Sequence, residues 1–169
     1  EDREINYLRL LREYREKEID DPYKFGDWNY NLGMIKMLRG YSTEALKYFE
    51  QALVIAREIG DRRGEENNLG NLGSAYADLG LVEKAIEYYE QALIISREIG
   101  DRREEENNLG NLGNACIYLR QIEKAIEYYE QALIISREIG DRRGEGDWIG
   151  NLGNAHHHLR QVEKAIEYH

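Results

Sequence analysis

An all-α fold, an α-solenoid of tandem antiparallel helix pairs, follows from three features of this chain. These are a period of 40 residues, apolar residues that return every three or four positions, and turn and cap residues at fixed places in each period. The tripeptide Asn-Leu-Gly recurs at Asn31, Asn71, Asn111 and Asn151. Residues 71–110 and 111–150 agree at 28 of 40 positions, and residues 31–70 and 71–110 at 24 of 40. The block Glu83–Arg103 returns unchanged as Glu123–Arg143.

In chain order, residues 3–19 are predicted to form one lead helix. Asp21 then caps the first frame, with Pro22 at the first helical position, where its missing N–H costs nothing. Frames follow at 21–60, 61–100 and 101–140, with an incomplete one at 141–169, so that residues 1–169 read as a single array. Within a frame the first helix carries its stripe at Leu69, Leu72, Tyr76 and Leu79. The second carries Ala85, Ile86, Tyr89, Ala92, Leu93 and Ile95. Gly80, and Gly40 before it, can take the left-handed conformation that ends a helix. Arg120 and Arg160 stand at the same place, and more strained corners are expected there. The frames join at Gly60-Asp61, Gly100-Asp101 and Gly140-Asp141, where Gly stops one helix and Asp caps the next. Asp101 with Glu104 is expected to form a capping box. The sequence ends at His169, about half-way through an expected second helix. It also lacks a starting Met, which points to a processed or excised piece. A repeat cannot bury its apolar face alone, so the expectation is that more repeats followed; otherwise the open C-terminal end meets another molecule, self-association included.

The 169 residues carry 23 Lys and Arg against 33 Asp and Glu, a formal charge of −10. This argues against nucleic acid, whose affinity comes largely from cationic side chains, and favours basic partners. No apolar run reaches the roughly 20 residues of a membrane helix, and Glu1-Asp2-Arg3-Glu4 is not the start of a secretion signal. One cysteine, Cys116, allows no internal disulfide, so a cytoplasmic home is the default.

The residues that recur resemble the tetratricopeptide repeat. The second frame carries Leu72-Gly73, Tyr76, Gly80, Ala85, Tyr89 and Ala92. The third carries Leu112-Gly113, Ala125, Tyr129 and Ala132, and the first Leu32-Gly33, Gly40, Ala45, Phe49 and Ala52. The period is longer than the usual one and the closing proline is absent, with Arg97 and Arg137 near its place. The aromatic that usually follows Leu-Gly survives as Tyr76, replaced by Lys36, Cys116 and His156 elsewhere. This long form is similar to the repeats of Pins/LGN-type adaptors, of kinesin light chains and of bacterial signalling proteins that join them to ATPase or protease-like domains. The resemblance implies a right-handed superhelix. It also implies that the first helix of each pair lines a concave groove for an extended peptide or a partner helix.

Between frames the second helix barely changes while the first varies, as at Met34/Ser74/Asn114/Asn154, Met37/Ala77/Ile117/His157 and Leu38/Asp78/Tyr118/His158. A packed interior tolerates such changes poorly, whereas a groove reading different parts of a ligand requires them; neutral drift on a solvated face is the alternative. The column Asn31, Asn71, Asn111 and Asn151 is the more specific sign. Asn costs roughly 0.5 kcal/mol against Ala inside a helix, yet its carboxamide can pair with the N–H and C=O of any peptide. It resembles the asparagine ladder in the tetratricopeptide groove of O-linked N-acetylglucosamine transferase. The candidate groove is therefore Asn31, Asn71, Asn111 and Asn151 with Ser74, Asn114, Asn154, Asp78, Tyr118 and His158. The competing reading has each Asn tie neighbouring helices together.

Other motifs are weaker. His156-His157-His158 cannot converge on a metal from consecutive helical positions; His156 is expected in the packing layer, with His158 and His157 towards the groove. Cys116 stands where an aromatic packs, and nothing identifies a base for it as a nucleophile. Arg62-Arg63, Arg102-Arg103 and Arg142-Arg143 read as surface ion-pair partners of nearby Glu residues. Trp28 and Trp148, each in a Gly-Asp-Trp triplet, are either binding anchors or fillers between repeats. No phosphate-binding loop, catalytic triad, cofactor or metal site is indicated. The function expected is a protein-interaction scaffold and not an enzyme. The alternative is a regulatory, sensor or self-association arm of a larger signalling protein.

Overall fold

The computed structural model describes residues 21–167, with side chains through Arg160; the expected lead helix at 3–19 lies outside the described residues. The chain divides into two compact units between Leu81 and Val82. The first unit holds α1 (Pro22–Leu38), α2 (Ser42–Ile59) and α3 (Arg62–Asp78). The second holds α4 (Val82–Ile99), α5 (Arg102–Tyr118), α6 (Ile122–Ile139) and α7 (Arg142–Glu167). Within each unit every helix packs on the next, α1 on α2 and α2 on α3, then α4 on α5, α5 on α6 and α6 on α7.

The Gly-Asp junctions explain why these helices stop and restart where they do. Gly60, Gly100 and Gly140 sit at φ of 73°, 71° and 73°, the left-handed region that glycine enters without a Cβ clash. The following Asp then serves two helices. Its N–H closes the old one, Asp61 donating to the Ala56 carbonyl at 2.8 Å, Asp101 to that of Ser96 at 2.9 Å and Asp141 to that of Ser136 at 2.8 Å. Its carboxylate opens the new one, accepting from the N–H of Gly64 (2.9 Å), Glu104 (3.3 Å) and Gly144 (3.0 Å). The capping box expected at Asp101 and Glu104 is accordingly half-formed. The Asp101 N–H is already committed to Ser96, and the Glu104 carboxylate accepts from Asn107 Nδ2 at 3.2 Å.

The corners inside the frames separate in an instructive way. Gly40 and Gly80 turn at φ of 77° and 73°, and Arg120 is forced to φ 60°. The corner expected at Arg160 does not form: α7 continues through it as one helix of 26 residues. A left-handed residue with a side chain costs about 1–2 kcal/mol. At Arg120 the packing of α6 against both α5 and α7 offsets that cost. At Arg160 no described helix offers such packing, and the chain stays helical.

The first unit closes over Leu32, Ala45, Phe49, Ala52, Leu69, Leu72 and Ala75, none more than 1% exposed. The second closes over Ala85, Tyr89, Ala92, Leu109, Leu112, Ala125, Tyr129 and Ala132, with Ala155 of α7 covered by Ile122 and Ile126. At Gly33 and Gly113 the glycine of Leu-Gly is a packing requirement. A Cβ on Gly33 would lie 2.5 Å from the Phe49 ring, and one on Gly113 2.4 Å from the Tyr129 ring. Burial pushes the Tyr129 phenol up to about 12. No helix among the described residues is long and apolar enough to cross a membrane.

Candidate partner-binding surface

The candidate groove residues fall on both units, and their settings differ. Asn31 on α1 and Asn71 on α3 are half-buried at matching places. Each donates Nδ2 to the carbonyl one turn earlier on its own helix, Asp27 at 2.7 Å and Asn67 at 2.8 Å. These bonds do not tie helix to helix; they fix the carboxamide rotamer and leave the second Nδ2 hydrogen and the Oδ1 lone pairs as its pairing groups. Ser74 bonds in the same way to the Gly70 carbonyl at 3.1 Å. Asp78 is exposed but occupied, accepting from Ser42 Oγ at 3.3 Å and so linking α3 to α2.

In the second unit Asn111 and Asn151 are half-buried, while Asn154, Tyr118 and His158 are exposed. Asn114 accepts from the Tyr129 hydroxyl at 2.7 Å, a bond that holds α5 to α6. His156 is exposed, contrary to its expected place in the packing layer. The matching Cys116 is buried because α6 covers that face of α5, with Ala125 and Tyr129 against it. Among the described residues no three metal-ligating side chains come together. Burial pushes the Cys116 thiol up, which disfavours the nucleophilic thiolate.

Arg62, Arg102 and Arg103 of the basic pairs are ion-pair partners, as their composition suggested. Arg62 meets Glu65 at 2.5 Å and Arg102 meets Glu105 at 2.5 Å; Arg102 also binds Glu138, and Arg103 meets Asp141 at 3.0 Å. A further cation reaches Glu65 and Glu105, and their counterpart Glu145, from the end of the preceding helix. Arg57 binds Glu65 at 2.8 Å, Arg97 binds Glu105 at 2.8 Å, and Arg137 binds Glu145 at 2.7 Å. Arg97 and Arg137 stand near the place of the family's closing proline, so a charged clamp across the junction does the fastening. Burial raises the Glu65 carboxyl, but hydrogen bonds from Arg57 and Arg62, with their charges, outweigh it and hold the group below the usual carboxylate range.

Sequence reasoning missed the buried polar cluster of the second unit. Glu106 on α5 is 3% exposed, and its Oε1 accepts from Ser136 Oγ of α6 at 2.6 Å and from Trp148 Nε1 of α7 at 2.8 Å. The Trp148 indole stacks on Tyr129 with 6.0 Å between centroids and an 18° tilt. It also lies over Gly110, where a Cβ would come within 2.0 Å of Cη2. Of the two readings of Trp148, the filler between repeats is the one the packing supports. The available signal was the exchange of Glu-x-Asn, at Glu66-Asn68 and Glu106-Asn108, for Gly-x-Trp in the outer frames.

The repeat period places a different arrangement at the matching position of the first unit. There Gly26, Tyr30, Ala56 and Asn68 replace Glu106, Gly110, Ser136 and Trp148. The result is a cavity of about 260 Å³ between α1, α2 and α3. Its floor is Ala52, Ile55 and Ala56, with Tyr30 and Asn68 on its walls. Asn68 is 4% exposed; its Nδ2 donates to the Gly64 carbonyl at 2.7 Å, and its Oδ1 has no hydrogen-bond partner.

Short helices joined by Gly-Asp junctions, with small residues at close crossings and variable polar side chains on the first helix of each pair, define a helical repeat protein of the interaction-scaffold class. The chain belongs to the tetratricopeptide repeat family, whose model matches residues 26–98, 64–138 and 104–169. No curated protein matches it. Among solved structures it is similar to a signal transduction ATPase with numerous domains from Pyrococcus horikoshii, which carries a tetratricopeptide repeat sensor. The TM-score is 0.79 at 29% identity, over 88% of this chain and 23% of that one. A putative kinesin light chain from Podosopora anserina, with nearly identical tetratricopeptide-like repeats, gives 0.71 at 21% identity over 88% and 73%. The TPR2AB domain of yeast Sti1, in its pHSP90 complex, gives 0.70 at 23% identity over 83% and 49%. The chain thus spans under half the length of the Sti1 structure and under a quarter of that of the ATPase.

Proposed function

We propose that this chain is a non-catalytic scaffold that binds an extended peptide along the first helices of its repeats. The observation that carries this reading is the matched setting of Asn31 and Asn71. Two half-buried carboxamides, each oriented by its own helix, keep a donor and an acceptor for a peptide backbone. Asn111 and Asn151 repeat the residue in the second unit, and Ser74, Asn154, Tyr118 and His158 supply varied chemistry beside them. Asp78 and Asn114 contribute less, because each already serves a helix-to-helix bond. The similarity to the Sti1 domain, whose structure is a complex with pHSP90, supports a peptide ligand.

The test is Asn71→Ala with Asn111→Ala, assayed against a peptide selected from a random library on the wild-type chain. Each lost hydrogen bond, worth about 0.5–1.5 kcal/mol net, should weaken capture by roughly 2–12-fold. Melting should hold or rise slightly, since Ala is the better helix former. A large fall in melting temperature with unchanged capture would assign the column to architecture instead. A second reading, a sensor arm of a larger signalling protein, is favoured by the likeness to the P. horikoshii ATPase and its repeat sensor.

A further inference from the structure

We propose that the cavity between α1, α2 and α3 receives one arginine side chain of the bound peptide, its aliphatic stem on the apolar floor and its guanidinium on the Asp61 carboxylate. This rests on the peptide-scaffold reading and adds a specificity pocket to it. The second unit shows which group belongs at this place. There Arg103 of α5 crosses to Asp141, the cap of α7, at 3.0 Å. Two periods earlier the same positions hold Tyr23 and Asp61, both in the lining of the cavity. The Arg-Arg of the later frames is Pro22-Tyr23 in the first, so Asp61 keeps its capping bond to the Gly64 N–H and lacks the crossing cation. Neither Asp61 nor Asp27, the other carboxylate in the lining, has an ion-pair partner among the described residues; Arg63 lines the cavity too but bonds to neither. Ile55 and Ile59 offer apolar surface to a methylene stem, and Tyr23 and Tyr30 supply rings on which a planar guanidinium stacks. A lysine ammonium meets the charge but lacks the planar fork. A volume of about 260 Å³, below the roughly 300–1,000 Å³ of pockets for drug-sized ligands, suits a single side chain. The place also fits the peptide track. Asn31 and Asn71 donate to the carbonyls of Asp27 and Asn67, so both of these lining residues stand one helical turn from the Asn column. The formal charge of −10 favours a basic ligand.

The experiment titrates the full, isotope-labelled chain with the N-acetyl amides of arginine, lysine and citrulline, with ethylguanidinium, and with a capped Ala-Ala-Arg-Ala-Ala peptide, followed by NMR. Saturable shifts centred on Gly26, Ile55, Asp61 and the Asn67 side-chain amide are expected. The arginine amide should bind more tightly than the lysine amide, and about 2–12-fold more tightly than its neutral isostere citrulline, the range of one net hydrogen bond. The preference over citrulline should shrink in about 1 M salt. The peptide should bind more tightly than ethylguanidinium. Asp61→Asn keeps a capping oxygen for Gly64, so melting should change little while the preference for arginine over citrulline disappears. Should that variant unfold, Tyr23→Arg places the second unit's guanidinium opposite Asp61 and should exclude added arginine. Asp141→Asn, the matched change at a place already filled, should leave arginine binding as it was. Shifts that map elsewhere, equal binding of arginine and either other amide, or undiminished arginine binding in Asp61→Asn or Tyr23→Arg would overturn the pocket. Ethylguanidinium binding as tightly as the peptide would overturn the peptide as its source. The scaffold reading is scored separately, by capture of a selected peptide on Asn71→Ala with Asn111→Ala. Capture lost there with no arginine shifts refutes the pocket alone, and arginine shifts with capture retained refute the Asn column alone.

Discussion

Replacing Trp148 by Phe tests whether the buried Glu106 is a fastening of the second unit. The substitution keeps a ring against Tyr129 but removes the Nε1 donor that meets Glu106 Oε1 at 2.8 Å, and the outer indole edge over Gly110. A hydrogen bond to a charged group contributes about 1.5–3 kcal/mol. Part of an aromatic side chain is lost as well, so the combined cost should be about 2–3 kcal/mol, which in a chain of this length lowers Tm by about 4–12 °C. Glu106→Gln keeps an acceptor for Ser136 and Trp148 without the charge, and should itself change stability little. In the Glu106→Gln background Trp148→Phe should cost only about 1 kcal/mol, because the bond removed joins neutral partners. Urea unfolding of the wild type, both single variants and the double variant, followed by circular dichroism, yields the coupling energy. A value of at least about 1 kcal/mol is expected. A coupling below about 0.5 kcal/mol, the scatter of independent sites, would refute the view that the indole and the carboxylate act together.

Two further outcomes follow from the same packing. Gly113→Ala places a Cβ 2.4 Å from the Tyr129 ring and should destabilise by about 1–3 kcal/mol, whereas Gly153→Ala, with nothing within 4 Å, should stabilise by roughly 0.5–1 kcal/mol; thermal melts of the pair would expose an error in the assigned crossings if the two shifts had the same sign. Glu65, held low by Arg57 and Arg62, contributes stability above the ordinary carboxylate value of about 4.3 and loses it as pH falls through the lower folded value; the Tm deficit of Glu65→Gln should therefore be present at pH 7 and shrink towards pH 3, and a deficit independent of pH would show that the clamp is not electrostatic.

The helix ends were legible in the sequence because single residues decide them. Gly60, Gly100 and Gly140 supply the backbone that only glycine reaches cheaply, and the Asp after each supplies the cap. The buried cluster was not legible for the opposite reason. Glu106 sits one turn into a helix, where an acidic residue normally faces water and the helix dipole. Its burial depends on Ser136 and Trp148, 30 and 42 residues away. A periodic pattern reports which face of a helix is apolar; it does not report which polar residue has found partners on two other helices. The same limit hid the cavity, because Gly26, Ala56 and Asn68 are ordinary singly and make a space only as a set. His156 was misplaced by analogy between frames: its position in the period matches Cys116, but the helix that buries Cys116 has no described counterpart over α7.

One pair of segments separates what local sequence decides from what neighbours decide. Leu119–Tyr128 and Leu159–Tyr168 differ only at Ile122 and Val162, yet the first turns at Arg120 and the second runs straight through Arg160. Ile and Val share β-branching and differ by one methylene, so the local preference at the corner is the same in both. What differs is the packing available beyond the turn, since α6 gains cover from α5 and α7 together. The glycine corners at Gly40 and Gly80 carry no such left-handed cost and do not need that subsidy from their neighbours. An arginine corner therefore makes the fold of its frame conditional on a neighbouring repeat, whereas a glycine corner is written into the frame itself.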